Sequence, residues 1–244
     1  MANRETKKST FKSLYQKLEN LIFPEGIYCV CCGNIIDETR TYSLCDHCMK
    51  HIRWYRGNPI FDDGIKIISC MEYGIYERNI IFNLKYNGKK FIARHCADIM
   101  KDKLLQLKEM LTESPYKEGL PYDFITPVPI YRNKLKNRGF NQSALIAHFL
   151  SEKTGIDCIE NLLIKRKETL PMKNMNKQER LDAMQGAIEI NDRYKDMIGG
   201  KSILLIDDFF TTGSTAISCH KALKPFNPSS LTLLTFAGHM GKRF

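Results

Sequence analysis

The stretch Ile203-Leu204-Leu205-Ile206-Asp207-Asp208-Phe209-Phe210-Thr211-Thr212-Gly213-Ser214-Thr215 constrains the fold more than any other part of the chain. Its short apolar run reads as a buried strand. The run ends in two adjacent carboxylates, and a small hydroxyl-rich loop with one glycine follows. Ala216-Ile217-Ser218 then opens a helix. Backbone N–H groups and hydroxyls at such a strand-to-helix turn form a cradle for a phosphate. The two carboxylates just before it are placed to take two hydroxyls of a sugar attached to that phosphate. The plainer alternative is a buried strand, an acidic N-cap and an ordinary helix.

The loop is not a Walker A loop, because no Gly-Lys-Ser/Thr ending supplies the lysine for a nucleotide triphosphate. It also lacks the GxGxxG spacing of dinucleotide-binding turns. It resembles the phosphoribosyl-pyrophosphate (PRPP) motif of type I phosphoribosyltransferases. That resemblance implies that Thr211, Thr212, Gly213, Ser214 and Thr215 meet the 5-phosphate, and that Asp207 and Asp208 meet the 2- and 3-hydroxyls of the ribose. One departure matters. In purine-salvage relatives the position of Thr211 is commonly an aspartate that handles a proton on the base. Threonine cannot act as a general base near neutral pH. The phosphate and ribose half of such a site is present, and the group for nucleobase chemistry is missing.

A second constellation lies near the start. Cys29-Val30-Cys31-Cys32 and Cys45-Asp46-His47-Cys48 hold two C-x-x-C pairs with 12 residues between them. Two such knuckles make a tetrahedral all-sulfur site for structural Zn²⁺, with Cys29, Cys32, Cys45 and Cys48 as ligands. Gly33 follows the first knuckle, where a tight turn favours positive φ. A filled four-sulfur site has no open position, so it is expected to staple the fold rather than catalyse. Cys31 reads as a spectator, with substitution of Cys31 or His47 for a neighbouring ligand left open. Nine cysteines is an odd number, and five of them cluster, which argues for metal rather than a disulfide framework. Cys70, Cys96, Cys158 and Cys219 stand alone and read as small buried apolar residues.

The 244 residues suffice for one ordinary domain and a small appendage, here divided as 1–56 and 57–244. No run of eighteen apolar residues occurs, so no membrane span is expected. The polar start, with no apolar stretch behind it, argues against a signal peptide and for a cytoplasmic protein. A formal net charge of +10 favours an anionic partner, nucleic acid or phosphate among them. Phe11, Leu14, Tyr15, Leu18, Leu21 and Ile22 recur at helical spacing and predict an amphipathic helix ending near Pro24.

In the middle of the chain, Met71–Tyr76 reads as a strand, Ile80–Lys85 as a helix and Phe91–Met110 as a long helix. Tyr122–Thr126 reads as a strand that stops at Pro127-Val128-Pro129, since proline cannot stay in a central ladder. Ile130–Gln142 is strongly basic and reads as a loop leading into a helix through Ser143-Ala144-Leu145-Ile146. In α/β sheets, ligands sit beyond the carboxyl ends of the strands. This basic segment therefore shares an edge with the acid-pair loop, and Arg132, Lys134 and Arg138 are candidates for a pyrophosphate. Lys165–Gln185 reads equally as a flap over that edge or as a disordered surface excursion, and Ser230–Ala237 as a last strand.

The order of these features is similar to the ComF competence family. The resemblance rests on the N-terminal helix, the cysteine cluster, Leu84-Lys85-Tyr86, Pro127-Val128-Pro129, Arg138-Gly139-Phe140-Asn141-Gln142 and the acid-pair loop, and it covers nearly the whole chain. Departures lie at Met172, where glutamine is frequent, and at Ile188, where phenylalanine is. The resemblance implies an α/β fold: a type I phosphoribosyltransferase-like twisted parallel sheet with flanking helices, preceded by a small four-cysteine zinc module. It implies PRPP binding with Mg²⁺ and a role in DNA uptake and natural transformation. Single-stranded DNA, a DNA helicase and other transformation proteins would be the partners. Lys85, Arg132, Lys134 and Arg138 are the candidates for pyrophosphate or DNA. A metabolic phosphoribosyltransferase, moving phosphoribose from PRPP to a base or amine, is the alternative. A third reading is a zinc-ribbon DNA-binding protein whose sugar-phosphate site grips a DNA end.

Overall fold

The structure, a computed structural model, describes residues 26–62, 64–111, 119–167 and 186–239. The expected N-terminal helix, Met172 and all but the start of the expected flap lie outside the described residues. Contacts divide the chain into two units, Met1–His51 and Ile52–Phe244.

In the first unit, Tyr28 and Ile35 form an antiparallel bridge around a turn. Gly33 takes φ +79° there, and its N–H bonds the Cys29 carbonyl at 2.9 Å. A short helix, α1 (Asp46–His51), follows. Among the described residues of this unit, Cys29, Val30, Cys31, Leu44 and Cys48 are buried.

The second unit is built on a five-stranded sheet. Its strands are β1 (Ile60–Asp62), β2 (Ile65–Glu72), β3 (Phe124–Pro127), β6 (Ser202–Phe210) and β7 (Ser230–Gly238), in the order β1-β2-β7-β6-β3. The four from β2 to β3 run parallel, and β1 is an antiparallel edge strand. The sheet is therefore mixed rather than wholly parallel. Ile203 to Ile206 are each fully buried, the continuous apolar signature of a parallel strand covered on both faces.

One face carries α3 (Ile92–Leu111) and α5 (Gln142–Thr154), which pack on each other and on the strands. Ala93, Cys96, Ala97, Met100 and Leu104 repeat every three or four residues and form the inward stripe of α3. On the other face, Ile67, Ile203, Leu205 and Leu233 pack with Ala216, Cys219 and Leu223 of α6 (Ser214–Leu223). A small antiparallel hairpin, β4 (Leu163–Lys165) and β5 (Ile188–Ile190), closes that cluster. Ile188 is buried in it.

Three local expectations change. The strand expected at Met71–Tyr76 is β2, displaced upstream, because Gly74 takes the extended N-cap position of α2 (Ile75–Tyr86). The basic loop contains a helix, α4 (Arg132–Arg138), ended by Gly139 at φ +80°. β6 does not stop at the acid pair but runs through it to Phe210, in register with Ala237 and Gly238 of β7. Hairpin β4–β5 has only three residues per strand and leaves no periodic trace in the sequence.

Candidate functional site

Parallel β2, β7, β6 and β3 bring Glu72, Gly238, Phe210 and Pro127 to one edge of the sheet. The acid pair sits in the last turn of pleat on central β6. Adjacent residues on a strand face opposite ways. Asp207 and Asp208 accordingly have different partners.

Asp208 is buried and forms an ion pair with Lys85 of α2, whose side chain is 17% exposed against 7% for the aspartate. Its other oxygen accepts the Phe209 N–H at 2.8 Å. Lys85 Nζ also lies 5.2 Å from the centre of the Phe209 ring. Asp207 is half-buried and accepts the Ser143 hydroxyl at 3.0 Å and the Asp208 N–H at 2.9 Å. Loss of solvent, then the neighbouring Asp208 charge, raises its pKa to about 7, against the pull of Lys85, the Asp208 N–H and Ser143. Asp207 is thus poised to exchange a proton near neutrality. Lys165, at the end of β4, feels both Asp207 and Lys134. Burial, then the Lys134 charge, holds its ammonium below the usual lysine range.

The loop Thr211-Thr212-Gly213 turns the chain from β6 into α6. Gly213 adopts φ +76°, and a Cβ there would meet the Phe210 ring at 3.3 Å. The turn therefore requires glycine. As N-cap, Gly213 offers no side chain to the first N–H groups of α6. Those donors, with the positive end of the helix dipole, suit an anion. The hydroxyls of Thr212 and Ser214 lie 3.0 Å apart beside them.

Arg138-Gly139-Phe140-Asn141-Gln142 is a joint between two helices. Gly139 ends α4, and Arg138 donates to Gln142. The Asn141 side chain caps α5 by accepting the Ser143 N–H at 3.1 Å and donates to the Val128 carbonyl at 3.0 Å, beyond β3. The joint thereby fixes the start of α5, from which Ser143 reaches Asp207. Helical spacing groups Lys134 with Arg138, four residues apart, and sets Arg132 on another side. Arg138 stacks on the Tyr86 ring at 5.4 Å, next to Lys85 in sequence. Ser143 and Lys165 are site residues that the sequence patterns did not single out. Ser143 was visible only as the residue after the Asn-Gln pair, and Lys165 only as the start of a flap.

In the other unit, the sulfurs of Cys29, Cys32, Cys45 and Cys48 all lie within 4.8 Å of one another and can hold a metal ion such as zinc. Cys32 and Cys45 sulfurs are 3.7 Å apart. An ion about 2.3 Å from each of four tetrahedral sulfurs would set them about 3.8 Å apart. The Cys45 N–H points at Cys29 Sγ (3.4 Å) and the Cys48 N–H at Cys45 Sγ (3.5 Å). Burial opposes ionisation of Cys29, but backbone N–H groups of Cys32, Cys45 and Cys31 outweigh it and bring the thiol down to about 7. Cys31 is buried beside the four without belonging to the group, and burial pushes its thiol up to about 12.

Among the described residues, no helix is long and apolar enough to cross a membrane. No protein-family profile matches the chain. Among solved structures, it is similar to a hypoxanthine phosphoribosyltransferase from Trypanosoma cruzi bound to IMP, at 13% identity and TM-score 0.37, over 64% of this chain and 68% of that one. It is also similar to an adenine phosphoribosyltransferase from Thermoanaerobacter pseudethanolicus, at 15% identity and TM-score 0.38, over 79% of this chain and 98% of that one. In sequence, the chain is 25% identical to Competence protein F of Haemophilus influenzae, over 79% of this chain and 83% of that protein. It is 25% identical to Competence protein ComFC of Streptococcus pneumoniae over 66% of this chain, and 24% identical to DNA utilization protein YhgH of Salmonella typhi over 62%. It spans 63% and 62% of those two proteins. The chain is thus similar, at about a quarter identity over most of its length, to proteins named for competence and for DNA utilization.

Proposed function

We propose that this protein is a phosphoribosyltransferase-like protein that binds PRPP with Mg²⁺ and acts in DNA uptake by handling single-stranded DNA. One observation carries the first half: Gly213 opens α6 with uncapped N–H donors, directly after two carboxylates held at the end of a buried parallel strand. In this reading the N–H groups and the hydroxyls of Thr211, Thr212, Ser214 and Thr215 take the 5-phosphate. Asp207 takes a ribose hydroxyl, while Asp208 binds through the network it shares with Lys85. Lys134, Lys165 and Arg138 supply positive charge for the pyrophosphate. The hard carboxylate oxygens of the acid pair suit Mg²⁺, which when bound neutralises pyrophosphate oxygens. The four thiolates suit Zn²⁺, which fastens the first unit.

Transfer would break the bond from the anomeric carbon to pyrophosphate and form one to an acceptor. The acid pair would stabilise the positive charge that develops on the sugar. Metabolic transfer to a base or amine is the second reading. It is favoured by Asp207, whose raised pKa offers a proton acceptor where Thr211 offers none. The role in DNA uptake draws on the names of the competence relatives. Lys85, Arg132, Lys134 and Arg138 are the cations it would use.

Calorimetry with PRPP, ribose 5-phosphate and pyrophosphate, with and without Mg²⁺, tests the first half. Mg²⁺-dependent binding of PRPP is expected, and Asp208→Asn should weaken it by about 1.5–3 kcal/mol. Equal affinity in that variant would move the site elsewhere. Filter binding of single-stranded DNA at two salt concentrations tests the second half. About one unit of logarithmic slope is expected for each phosphate neutralised. Absent DNA binding, together with pyrophosphate release in the presence of a nucleobase, would favour the metabolic transferase.

A further inference from the structure

The outward side of α2 is unusual for a surface helix. Ile75, Phe82 and Tyr86 are 70%, 50% and 63% exposed. Their spacing of seven and four residues sets them on one stripe. The rings of Phe82 and Tyr86 lie 4.9 Å apart, inclined by 45°. They open onto a pocket of about 600 Å³, which Arg78, Lys85 and Phe209 also line. Arg138 stands over Tyr86, and Lys85 over Phe209. The one carboxylate on α2, Glu77, is 1% exposed and accepts the Arg53 N–H at 2.7 Å. Asp208 beneath the pocket is already paired with Lys85. The face thus presents aromatic planes and cations, without an exposed acid from α2.

We propose that this stripe is a base-stacking platform for an unpaired nucleic-acid strand, with bases on Phe82 and Tyr86 and phosphates on Arg78, Lys85 and Arg138. The proposal rests on the strand-binding half of the reading above and deepens it. Aromatic faces accept any base, and cations beside them hold the backbone. The run from Ile75 to Tyr86 is ~16 Å long at the helical rise, well beyond one nucleotide. It therefore fits a strand rather than a free nucleotide. A duplex keeps its base faces stacked and has none to offer.

The test is fluorescence anisotropy on the full chain, with labelled oligo-dT and an abasic strand of equal length, at two salt concentrations. Phe82→Ala and Tyr86→Ala should each weaken oligo-dT binding about tenfold. Their salt slope and circular dichroism should match the wild type, as should the PRPP affinity of Phe82→Ala, and Tyr86→Phe should retain binding. The abasic strand should bind both Ala variants as it binds the wild type. Unchanged oligo-dT affinity in the double Ala variant, an equal loss on the abasic strand, or free dTMP competing as well as the strand would each overturn the platform. So would a wild-type dimer that Phe82→Ala returns to monomer, since a second copy would then cover the stripe. If the wild type binds no strand at all, the strand-binding reading falls and the platform with it, while PRPP binding stands on its own calorimetry.

Discussion

Removing Lys85 should destabilise the second unit in a pH-dependent way. Lys85→Met keeps the stem of the side chain and deletes its charge. Asp208, 7% exposed, then has one charge-independent partner left, the Phe209 N–H at 2.8 Å. A second carboxylate, Asp207, stands one residue earlier on the same strand and keeps its proton up to about pH 7. Breaking a buried ion pair from one side costs about 3–5 kcal/mol, because the remaining charge is uncompensated. Lys85 is one-sixth exposed and water can partly replace it, so the lower end, about 3 kcal/mol, is expected. For a chain of this length that is a fall in Tm of roughly 6–12 °C.

The assay is thermal and urea unfolding at pH 8 and pH 5, on Lys85→Met, Asp208→Asn and the double variant. The deficit of Lys85→Met should shrink at pH 5, where Asp207, whose ionised form Lys85 also favours, is protonated and gains nothing from the ammonium. The double variant should recover part of the loss, with a coupling energy of about 1–3 kcal/mol. A loss below about 0.5 kcal/mol that is equal at both pH values, with additive single effects, would refute the buried network and the division of labour between the two acids.

The remaining predictions concern the other parts of the site. Asp207→Asn should raise stability above pH 7 and leave it unchanged below pH 4. The raised native pKa means that the folded state holds the proton more tightly, so the wild-type penalty grows as pH rises from the unfolded value to about 7. A pH series of urea midpoints checks this, and a gain confined to acid pH would contradict it. Cys45→Ser should lower zinc below one ion per chain and loosen the first unit, since metal binding and folding are coupled there. Elemental analysis is the readout, and reduced wild-type protein without metal would count against the site. Gly213→Ala should weaken phosphate-ligand binding, because alanine at φ +76° is strained and its Cβ meets Phe210. Calorimetry with ribose 5-phosphate reads the loss, and unchanged affinity would show that the loop does not hold the phosphate.

The features legible in the sequence were those written in local spacing. The C-x-x-C pairs place four sulfurs together because each knuckle closes its own turn, and β6 is visible as an unbroken apolar run. The long helix is readable from its three-and-four repeat, found at Ile92–Leu111 against an expected Phe91–Met110. Features that depend on distant partners were not legible. The β4–β5 hairpin pairs residues distant in sequence, while β1, which pairs locally with β2, is too short to show a period. α4 looked like a loop because its residues are charged all round, with no apolar stripe to give it a period. The exposed aromatic stripe on α2 was not legible because the helix expected at Ile80–Lys85 leaves out Ile75 and Tyr86, which the observed helix includes.

The adjacency of Asp207 and Asp208 had suggested one pair acting on one sugar. The strand's alternation gives them different hydrogen-bond partners, although Lys85 acts on both. Asp208 pairs with Lys85, beside Phe209 and the stripe on α2, while Asp207 accepts from Ser143 and also feels Lys165. A ligand reaching across the end of β6 would therefore touch both environments. A sugar-phosphate held by the α6 turn would sit between them, and a strand laid along α2 would approach from the Asp208 side alone. The two binding events would meet at Lys85 and Arg138, which belong to both. PRPP and single-stranded DNA are then expected to compete, or at least to alter each other's affinity, through those two cations. Anisotropy of a labelled strand titrated with Mg²⁺ and PRPP measures it directly. Identical strand affinity at zero and saturating PRPP would show that the two sites share an edge without sharing either cation.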